Sequence, residues 1–495
     1  MIKKITLLSM VCLLGHLHGA KPEAKETEQK KESTPLEAVT KSATVTIAGQ
    51  KVDYEVTADT MVLKTDDGKE RASIFHVSYL RKGVEGGNRP VMFAFNGGPG
   101  SSAVWLHLGA LGPRLVPTTP DGTTIVNPPV VLQENPHSIL DIADLVFVDP
   151  VSTGYSRIEK DGKASEFHGV EGDIRSVADF IRRWVTENKR WNSPKYLLGE
   201  SYGGVRASGL SEHLQSRYGM SLNGVVLLSS LLDYRTLRGA QGDNLVSVVY
   251  IPAFAATAHY HDRIDREREE LLAEAQAFAN GPYLKALHAG ARLLEAEKEP
   301  LAKKLEELTA VSAEIWMETN LRLSPTRFRR ELLRDENLVL GRFDSRVAWP
   351  AQSTSSDYPS YDPSYSVCLG AFSTAMLDYL SRDLGYTQHY PYEILTGKVH
   401  PWKWNAENKV VNVADRLQTA LRDNPGLRIL VMGGLTDLAT PPSGIAYSID
   451  QLIDLPSEAR DRISYTTYEA GHMFYLNQPD LEKMRTDLVE FIQSQ

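Results

Sequence analysis

Apolar runs of strand length alternate with amphipathic helical patterns along most of this chain. The strand candidates are Val91–Phe95, Leu145–Val148, Tyr196–Leu198, Val225–Leu228, Ile429–Met432 and Ile463–Tyr468. Between two of them, apolar residues recur at helical spacing, namely Ile174, Val177, Ala178, Ile181 and Val185. Strands that are apolar throughout are typical of parallel sheets whose two faces are covered by helices. The pattern therefore predicts an α/β fold with a mostly parallel central sheet.

A long middle section interrupts this alternation. Residues 234–346 are helical in pattern and rich in charged side chains, and a loop rich in Ser, Tyr and Pro follows at Ser353–Ser366. Strand-type segments resume near Arg428. We interpret residues 234–365 as a helical cap insertion with a rim loop, set into one α/β domain. The two parts of that domain are expected at residues 43–233 and 366–495.

One helix of the insertion has a clear start. Ser324 is a capping residue, and Pro325 after it suits the first helical turn. The arginines that follow are expected on a solvated helix face, and they are Arg327, Arg329 and Arg330.

The first twenty residues have the layout of a secretory signal peptide. Lys3 and Lys4 precede the apolar run Ile5–Leu14, and the small residues Gly19 and Ala20 follow. The run is too short to span a bilayer, although a buried N-terminal helix is the alternative interpretation. Residues 21–42 are charged and nearly free of large apolar side chains, which predicts a flexible tether. We therefore expect an exported protein, periplasmic or secreted, without a stable membrane span.

Composition excludes several classes of function. The 495 residues include 54 basic and 63 acidic side chains, a net charge of −9, which argues against nucleic acid as the main partner. The two cysteines, Cys12 and Cys368, cannot form a disulfide framework. His259, His261 and Asp262 are interpreted as surface residues, so neither a metal nor an organic cofactor is implied.

Gly199-Glu200-Ser201-Tyr202-Gly203 matches the G-x-S-x-G pattern of a nucleophile elbow. It follows the strand candidate Tyr196–Leu198 and precedes a helix-compatible stretch, as such a turn requires. A serine hydroxyl needs a base to take its proton and an acid to orient that base. Asp437 and His472 follow in the order Ser, Asp, His, and each comes directly after a predicted strand. These three residues are candidates for a catalytic triad.

An acyl-transfer site also needs two backbone N–H groups to stabilise an oxyanion. One is expected from Tyr202, directly after the candidate nucleophile. The other is expected from the glycine-rich loop 96–100, which follows Val91–Phe95. A phosphate-binding loop is a rival interpretation, but no G-x-x-x-x-G-K-[ST] pattern is present. A purely structural turn is the other alternative.

At these residues the sequence resembles the serine carboxypeptidases of peptidase family S10. The matching blocks occur in family order and are FNGGPGSS (95–102), LGPR (111–114), NPHS (135–138), DPVSTGYS (149–156), GESYGG (199–204) and AGHM (470–473). The resemblance implies a bacterial-type exported α/β-hydrolase that releases C-terminal residues from peptides through an acyl-enzyme. It further implies roles for individual residues: Ser201, Asp437 and His472 as the triad, Gly98 and Tyr202 as the oxyanion hole, and Asn96, Gly97 and Glu200 as the group that binds the substrate's terminal carboxylate.

Glu200 carries the expectation about pH. A protonated glutamate can donate a hydrogen bond to a carboxylate, whereas an ionised one repels it. In the family a second glutamate often pairs with this one, but here that position is Ala110, so burial alone must keep Glu200 protonated. Activity is then expected in mild acid and should fall towards neutral pH. Tyr475 stands where the family often has proline, which we expect to reshape the pocket for the departing residue.

Two other functions are compatible with the same residues. One is an esterase or acyltransferase on this scaffold, and the other is a catalytically inactive binding protein with a hydrolase fold.

Overall fold

A computed structural model describes residues 37–239, 242–407 and 409–494. Its main feature is a large twisted sheet. The strands, with their bounds, are β1 (Val39–Ile47), β2 (Gln50–Lys64), β3 (Glu70–Arg81), β4 (Val91–Phe95), β5 (Arg114–Leu115), β6 (Gln133–Glu134), β7 (Asp144–Val148), β8 (Arg157–Ile158), β9 (Lys195–Glu200), β10 (Gly224–Leu228), β11 (Leu338–Leu340), β12 (Ala348–Pro350), β13 (Arg428–Gly434) and β14 (Ile463–Tyr468). All six strand candidates of the α/β pattern are confirmed within one or two residues.

The strand order of the main sheet is β1-β2-β3-β7-β4-β9-β10-β13-β14, with β8 paired to β3. From β7 to β14 all neighbours are parallel, while β1, β2 and β3 pair antiparallel. Every residue of β4, β7, β9 and β10 is buried. Because these central strands are covered on both faces, they contain no polar alternation. The predicted α/β fold with a mostly parallel sheet is confirmed.

Helices cover the sheet on both faces and form the insertion. Their bounds are α1 (Val104–Leu106), α2 (Ala164–Phe167), α3 (Val170–Glu187), α4 (Tyr202–Tyr218), α5 (Leu245–Val249), α6 (Ile251–Tyr260), α7 (Arg268–Phe278), α8 (Leu284–Ala289), α9 (Glu295–Thr309), α10 (Ala313–Glu318), α11 (Pro325–Glu331), α12 (Pro363–Asp378), α13 (Ala414–Asp423), α14 (Pro442–Asp450), α15 (Ser457–Arg460) and α16 (Gln478–Gln493). None of the helices in the described ranges has the length and apolar character needed to cross a membrane.

Two hydrophobic cores lie on opposite faces of the sheet. Alternate residues of β4 show this, because Met92 and Ala94 belong to one cluster and Phe93 to the other. The first cluster contains side chains of α12 and α16, and the second contains side chains of α3, α4 and α13. Cys368 of α12 is a buried free thiol, so the described fold is stabilised by packing and hydrogen bonds.

The section between β10 and α12 has a core of its own. Helices α5–α11 contribute to it, and the large buried side chains Trp316 and Phe328 lie in it. Leu438, which follows the candidate acid Asp437, packs in this cluster and connects it to the α/β domain. The charged runs in the sequence lie on the outer faces of these helices, since the inner faces pack together.

Three expectations about the secondary structure and its exposure need correction. Strand β1 begins at Val39, inside the predicted tether, because residues 39–47 pair along the outer edge of β2 and need few apolar side chains there. Helix α12 begins at Pro363, inside the predicted loop, because Asp362 accepts a hydrogen bond from the N–H of Ser364 and caps it. The predicted signal peptide and the rest of the tether lie outside the described residues.

The third expectation to correct is that the arginines of α11 lie on a solvated face. Ser324 does cap α11, accepting from the N–H of Arg327. Arg329 and Arg330, however, are buried and donate to the carbonyls of Leu340 and Leu338 in the adjacent strand β11. Their long side chains satisfy backbone acceptors inside the insertion, which a charge pattern alone does not reveal.

Candidate active site

Ser201 occupies a sharp turn between β9 and α4. Its backbone has φ +60° and ψ −126°, a conformation that non-glycine residues rarely adopt and that marks a strained turn. The Ser201 N–H donates to the carbonyl of Leu228 on the neighbouring strand at 3.0 Å. A Cβ on Gly199 would overlap the carbonyl of Gly203, so the turn can close only with glycine there. This local structure presents the Ser201 side chain at the end of the sheet.

Asp437 and His472 lie in the loops after β13 and β14, and the fold brings them together. His472 Nδ1 and Asp437 Oδ2 are 2.8 Å apart, and both side chains are buried. Asp437 Oδ1 accepts from the N–H groups of Ala439 at 2.7 Å and Thr440 at 2.9 Å. These bonds fix the carboxylate so that it holds the proton of His472 on Nδ1. Nε2 is then free to accept a proton.

Ser201 and His472 line the same cavity, which has a volume of about 830 Å³. In the described part of the chain no hydrogen bond joins the two side chains. Such contacts are often long without substrate and tighten when substrate binds.

The imidazole of His472 is further held by a residue of the insertion. The ring of Phe343 stacks on it with centroids 5.1 Å apart. The backbone N–H of His472 donates to the carbonyl of Phe343 at 2.5 Å. The guanidinium group of Arg342 lies over the Phe343 ring, 4.3 Å from its centroid. Burial lowers the pKa of His472, but the charge and hydrogen bond of Asp437 outweigh it. The pKa of His472 therefore lies above its ordinary value.

The segment 342–345 contacts both the loop of Asp437 and the loop of His472. The N–H of Leu438 donates to the carbonyl of Arg342 at 3.1 Å, and the N–H of Ser345 donates to the carbonyl of Thr436 at 3.1 Å. A Cβ on Gly471 would overlap the carbonyl of Phe343, so this glycine permits the close approach. No sequence signal pointed to this segment, because it lies in the predicted insertion and matches no motif.

The loop 96–100 lies directly against the elbow. A Cβ on Gly97 would overlap the nitrogen of Tyr202 and lie 2.7 Å from the carbonyl of Glu200. Gly98 has φ +103°, which favours glycine. Tyr202 is the first residue of α4, so its N–H has no acceptor within the helix. The loop 96–100 and the elbow thus line the same cavity.

A buried ion pair supports the same loop. Arg206 Nε and Asp173 Oδ2 are 2.9 Å apart, and Arg206 Nη1 donates to the carbonyl of Asn96 at 2.7 Å. Both charged side chains are almost fully buried. Helices α3 and α4 thereby fix the position of the strand end from which the loop 96–100 leaves.

Glu200 precedes Ser201, and its buried carboxyl group faces the same cavity. Burial raises its pKa to about 7, against lowering contributions from His472, Tyr475 and Asn96. Glu200 Oε2 accepts a hydrogen bond of 2.7 Å from the hydroxyl of Tyr475. Nearby, the buried Asn96 Nδ2 has no hydrogen-bond partner within the described chain. A carboxyl group with a raised pKa and the side chain of Asn96 thus line the cavity next to the elbow.

A family model described as serine carboxypeptidase matches residues 63–478. The chain belongs to the serine carboxypeptidase family. The family recognised in the sequence is thus confirmed.

The similar curated proteins match a shorter region of this serine carboxypeptidase family member. The mouse (Mus musculus) lysosomal protective protein is 29% identical over 203 residues, which cover 40% of this chain and 36% of the mouse protein. Serine carboxypeptidase-like 36 of Arabidopsis thaliana is 28% identical over 165 residues, 32% of this chain and 31% of that protein. The aligned region therefore spans about a third of the length of these relatives.

A solved structure with a similar chain is a proline iminopeptidase from Mycobacterium smegmatis. It is 13% identical, covers 88% of this chain and 98% of its own, and has a TM-score of 0.38. The α/β fold of this family member follows instead from its own strand order and from the family match.

The rim of the cavity in this family member differs from the expected one. Of the predicted rim loop 353–366, only Tyr365 lines the cavity, and it lies on α12. The rim is formed instead by the insertion and by a later loop, with lining residues Thr326, Arg342, Phe343, Leu395, Thr396, Gly397, His400 and Trp404. Gly100 allows the later loop to pack closely, because a Cβ there would overlap the carbonyl of Thr396.

Proposed function

We propose that this protein is a serine-type carboxypeptidase that releases C-terminal amino acids from peptides. Ser201 Oγ attacks the carbonyl carbon of the last peptide bond while His472 Nε2 takes its proton. The N–H groups of Gly98 and Tyr202 stabilise the resulting oxyanion. His472 then gives the proton to the leaving amino group as the C–N bond breaks.

The acyl-enzyme is resolved by water. His472 takes a proton from the water, the oxygen attacks the ester carbon, and the proton returns to Ser201 as the shortened peptide leaves. Asp437 orients His472 and stabilises its charged form throughout. No metal or organic cofactor takes part in this proposal.

Glu200 is the observation that carries the exopeptidase assignment. Its buried carboxyl group, with a pKa raised by burial to about 7, can donate a hydrogen bond to a peptide's terminal carboxylate in mild acid. The unpaired Nδ2 of Asn96 offers a second donor beside it, and Gly97 keeps the loop close. An endopeptidase or simple esterase has no need of a protonated carboxyl group at this position.

Two protonation states together set the pH dependence. His472 must be neutral to act as a base, and Glu200 must be protonated to bind a carboxylate. Because their charges interact, the two groups titrate as a pair. We expect a bell-shaped profile of kcat/KM on peptides, with the falling side near the raised pKa of Glu200.

The decisive experiment compares a blocked dipeptide with a free C-terminus and a simple ester, from about pH 4 to about pH 8, a range that brackets both groups. The dipeptide should lose kcat/KM towards neutral pH, whereas the ester should not. In Glu200→Gln, whose amide donates at any pH, the falling side should disappear. A flat dipeptide profile in the wild type would contradict the assignment.

Labelling with a fluorophosphonate tests the nucleophile. The wild type should be labelled, and Ser201→Ala should not be, with Ser208→Ala on α4 as the matched serine control. Ester turnover without dipeptide turnover would favour an esterase, and transfer to an added acyl acceptor would favour an acyltransferase. Absence of labelling in the wild type would favour a binding protein.

The location of the protein forms a separate part of the proposal. The pattern of residues 1–20 supports export to the periplasm or outside the cell. N-terminal sequencing of protein from cell fractions should give a chain that starts after residue 20 in the exported fraction. A full-length chain in the cytosolic fraction would contradict this.

A further inference from the structure

Tyr475 makes a buried contact that the family resemblance did not suggest. Its hydroxyl lies 2.7 Å from Glu200 Oε2, and both side chains are almost inaccessible to solvent. The phenol ring fits because Gly109 has no side chain: a Cβ there would lie 2.9 Å from the rings of Tyr475 and Phe372. Glycine at 109 and tyrosine at 475 therefore belong to one packing arrangement.

The contact distinguishes the two oxygens of Glu200. The hydroxyl of Tyr475 donates to Oε2, so a proton on the carboxyl group is favoured on Oε1. The hydrogen bond from Tyr475 engages Oε2 and leaves Oε1 to the side of the cavity that Glu200 lines. Burial holds the pKa of the Tyr475 phenol well above its ordinary value, so the phenol remains a donor wherever the enzyme works.

We propose that Tyr475 is a positioning residue for the substrate's terminal carboxylate. By donating to Oε2 it directs the acidic proton of Glu200 into the cavity from Oε1, and it lowers the upper pH limit of carboxypeptidase activity. This inference rests on the proposed function.

The other groups that face Glu200 do not take this role. His472 and Asp437 interact with it through their charges, Asn96 lies beside it, and the buried thiol of Cys368 is kept neutral because burial raises its pKa. Among the groups around Glu200, Tyr475 makes the 2.7 Å hydrogen bond to Oε2 of the carboxyl group. A hydrogen bond to a charged acceptor is about twice as strong as one to a neutral acceptor, so the phenol favours the ionised form of Glu200.

Tyr475→Phe therefore tests the inference through a pH profile. Without the hydroxyl the carboxylate loses its donor, so the pKa of Glu200 rises. The falling side of kcat/KM on the blocked dipeptide should then move up by about half to one pH unit. KM for the dipeptide should rise more than kcat falls, because the proton is no longer directed to one oxygen. Tyr379→Phe is the matched control: it also removes a buried hydroxyl, one that bonds to Tyr79.

Three outcomes are informative. A Tyr475→Phe profile identical to the wild type would overturn the inference, even if carboxypeptidase activity is normal. An equal loss on dipeptide and ester with no shift would mean a purely structural role and would also overturn it. Absence of the falling side in the wild type would instead overturn the proposed function itself.

A second substitution keeps the test valid if Tyr475→Phe does not fold. Site-specific 3-fluorotyrosine at position 475 keeps the ring and makes the phenol a stronger donor. The falling side should then move to lower pH, opposite to Tyr475→Phe. In a Glu200→Gln background neither change should affect the profile, and a shift there would contradict the inference.

Discussion

Glu200→Gln should change the stability of the protein in a pH-dependent way, because it removes a buried group whose pKa differs between the folded and unfolded states. The pKa of Glu200 rises on folding from 4.5 to about 7, owing mainly to burial. Between these values the unfolded chain has lost the proton while the folded chain retains it. The wild type therefore loses stability as the pH rises through this window, and its contribution is fully present only below it.

The magnitude follows from the same two pKa values. Each pH unit of difference corresponds to about 1.36 kcal/mol, so the interval from 4.5 to about 7 amounts to about 3 kcal/mol. Glutamine is uncharged, can still accept from Tyr475 and occupies nearly the same volume. Relative to the wild type, Glu200→Gln should thus gain about 3 kcal/mol in free energy of unfolding between about pH 4 and about pH 8.

Urea unfolding followed by tryptophan fluorescence at both pH values gives this quantity. Other groups titrate in the same range, but they are common to both proteins and cancel in the difference. Glu306→Gln, the same change at an exposed position of α9, is the control and should give a difference independent of pH. A difference of less than about 1 kcal/mol between the two pH values would mean that burial on folding does not raise the pKa of Glu200 as described.

Three further substitutions test the supports of the site. Gly97→Ala places a Cβ against the elbow and should lower kcat about a hundredfold on ester and dipeptide alike, as measured by steady-state kinetics. Arg206→Met leaves Asp173 buried without its partner and should cost about 3–5 kcal/mol in urea unfolding; an unchanged midpoint would argue against the ion pair. Thr440→Val removes a hydroxyl within 3.0 Å of Asp437 and His472; a stability loss of about 1–3 kcal/mol is expected, and unaltered thermal unfolding would contradict it.

The central sheet and the elbow could be predicted from sequence because their signals are local. A buried parallel strand such as Val91–Phe95 is apolar at every position, and the strained turn at Ser201 needs glycines on both sides. Asp437 and His472 could be selected because each follows a strand. Short patterns of this kind can be recognised without knowledge of the rest of the fold.

The remainder depended on contacts between distant parts of the chain. Phe343 stacks on His472 across an insertion with no recognisable motif, and Tyr475 reaches Glu200 from 275 positions away. Arg330 reads as a surface charge, yet it is buried against a strand that is itself only three residues long. In each case the side chain's role is set by what the tertiary structure places next to it.

The segment 342–345 connects the insertion to the loops of Asp437 and His472. Its backbone hydrogen bonds hold the loops of both Asp437 and His472, so it packs as part of the α/β domain although it belongs to the insertion. Within the described chain, α8–α10 make no hydrogen bond to either loop. The cap is therefore only partly modular. Exchange of α8–α10 between relatives should leave the enzyme active. A graft that includes 342–345 would have to match the loops of the recipient that correspond to those of Asp437 and His472.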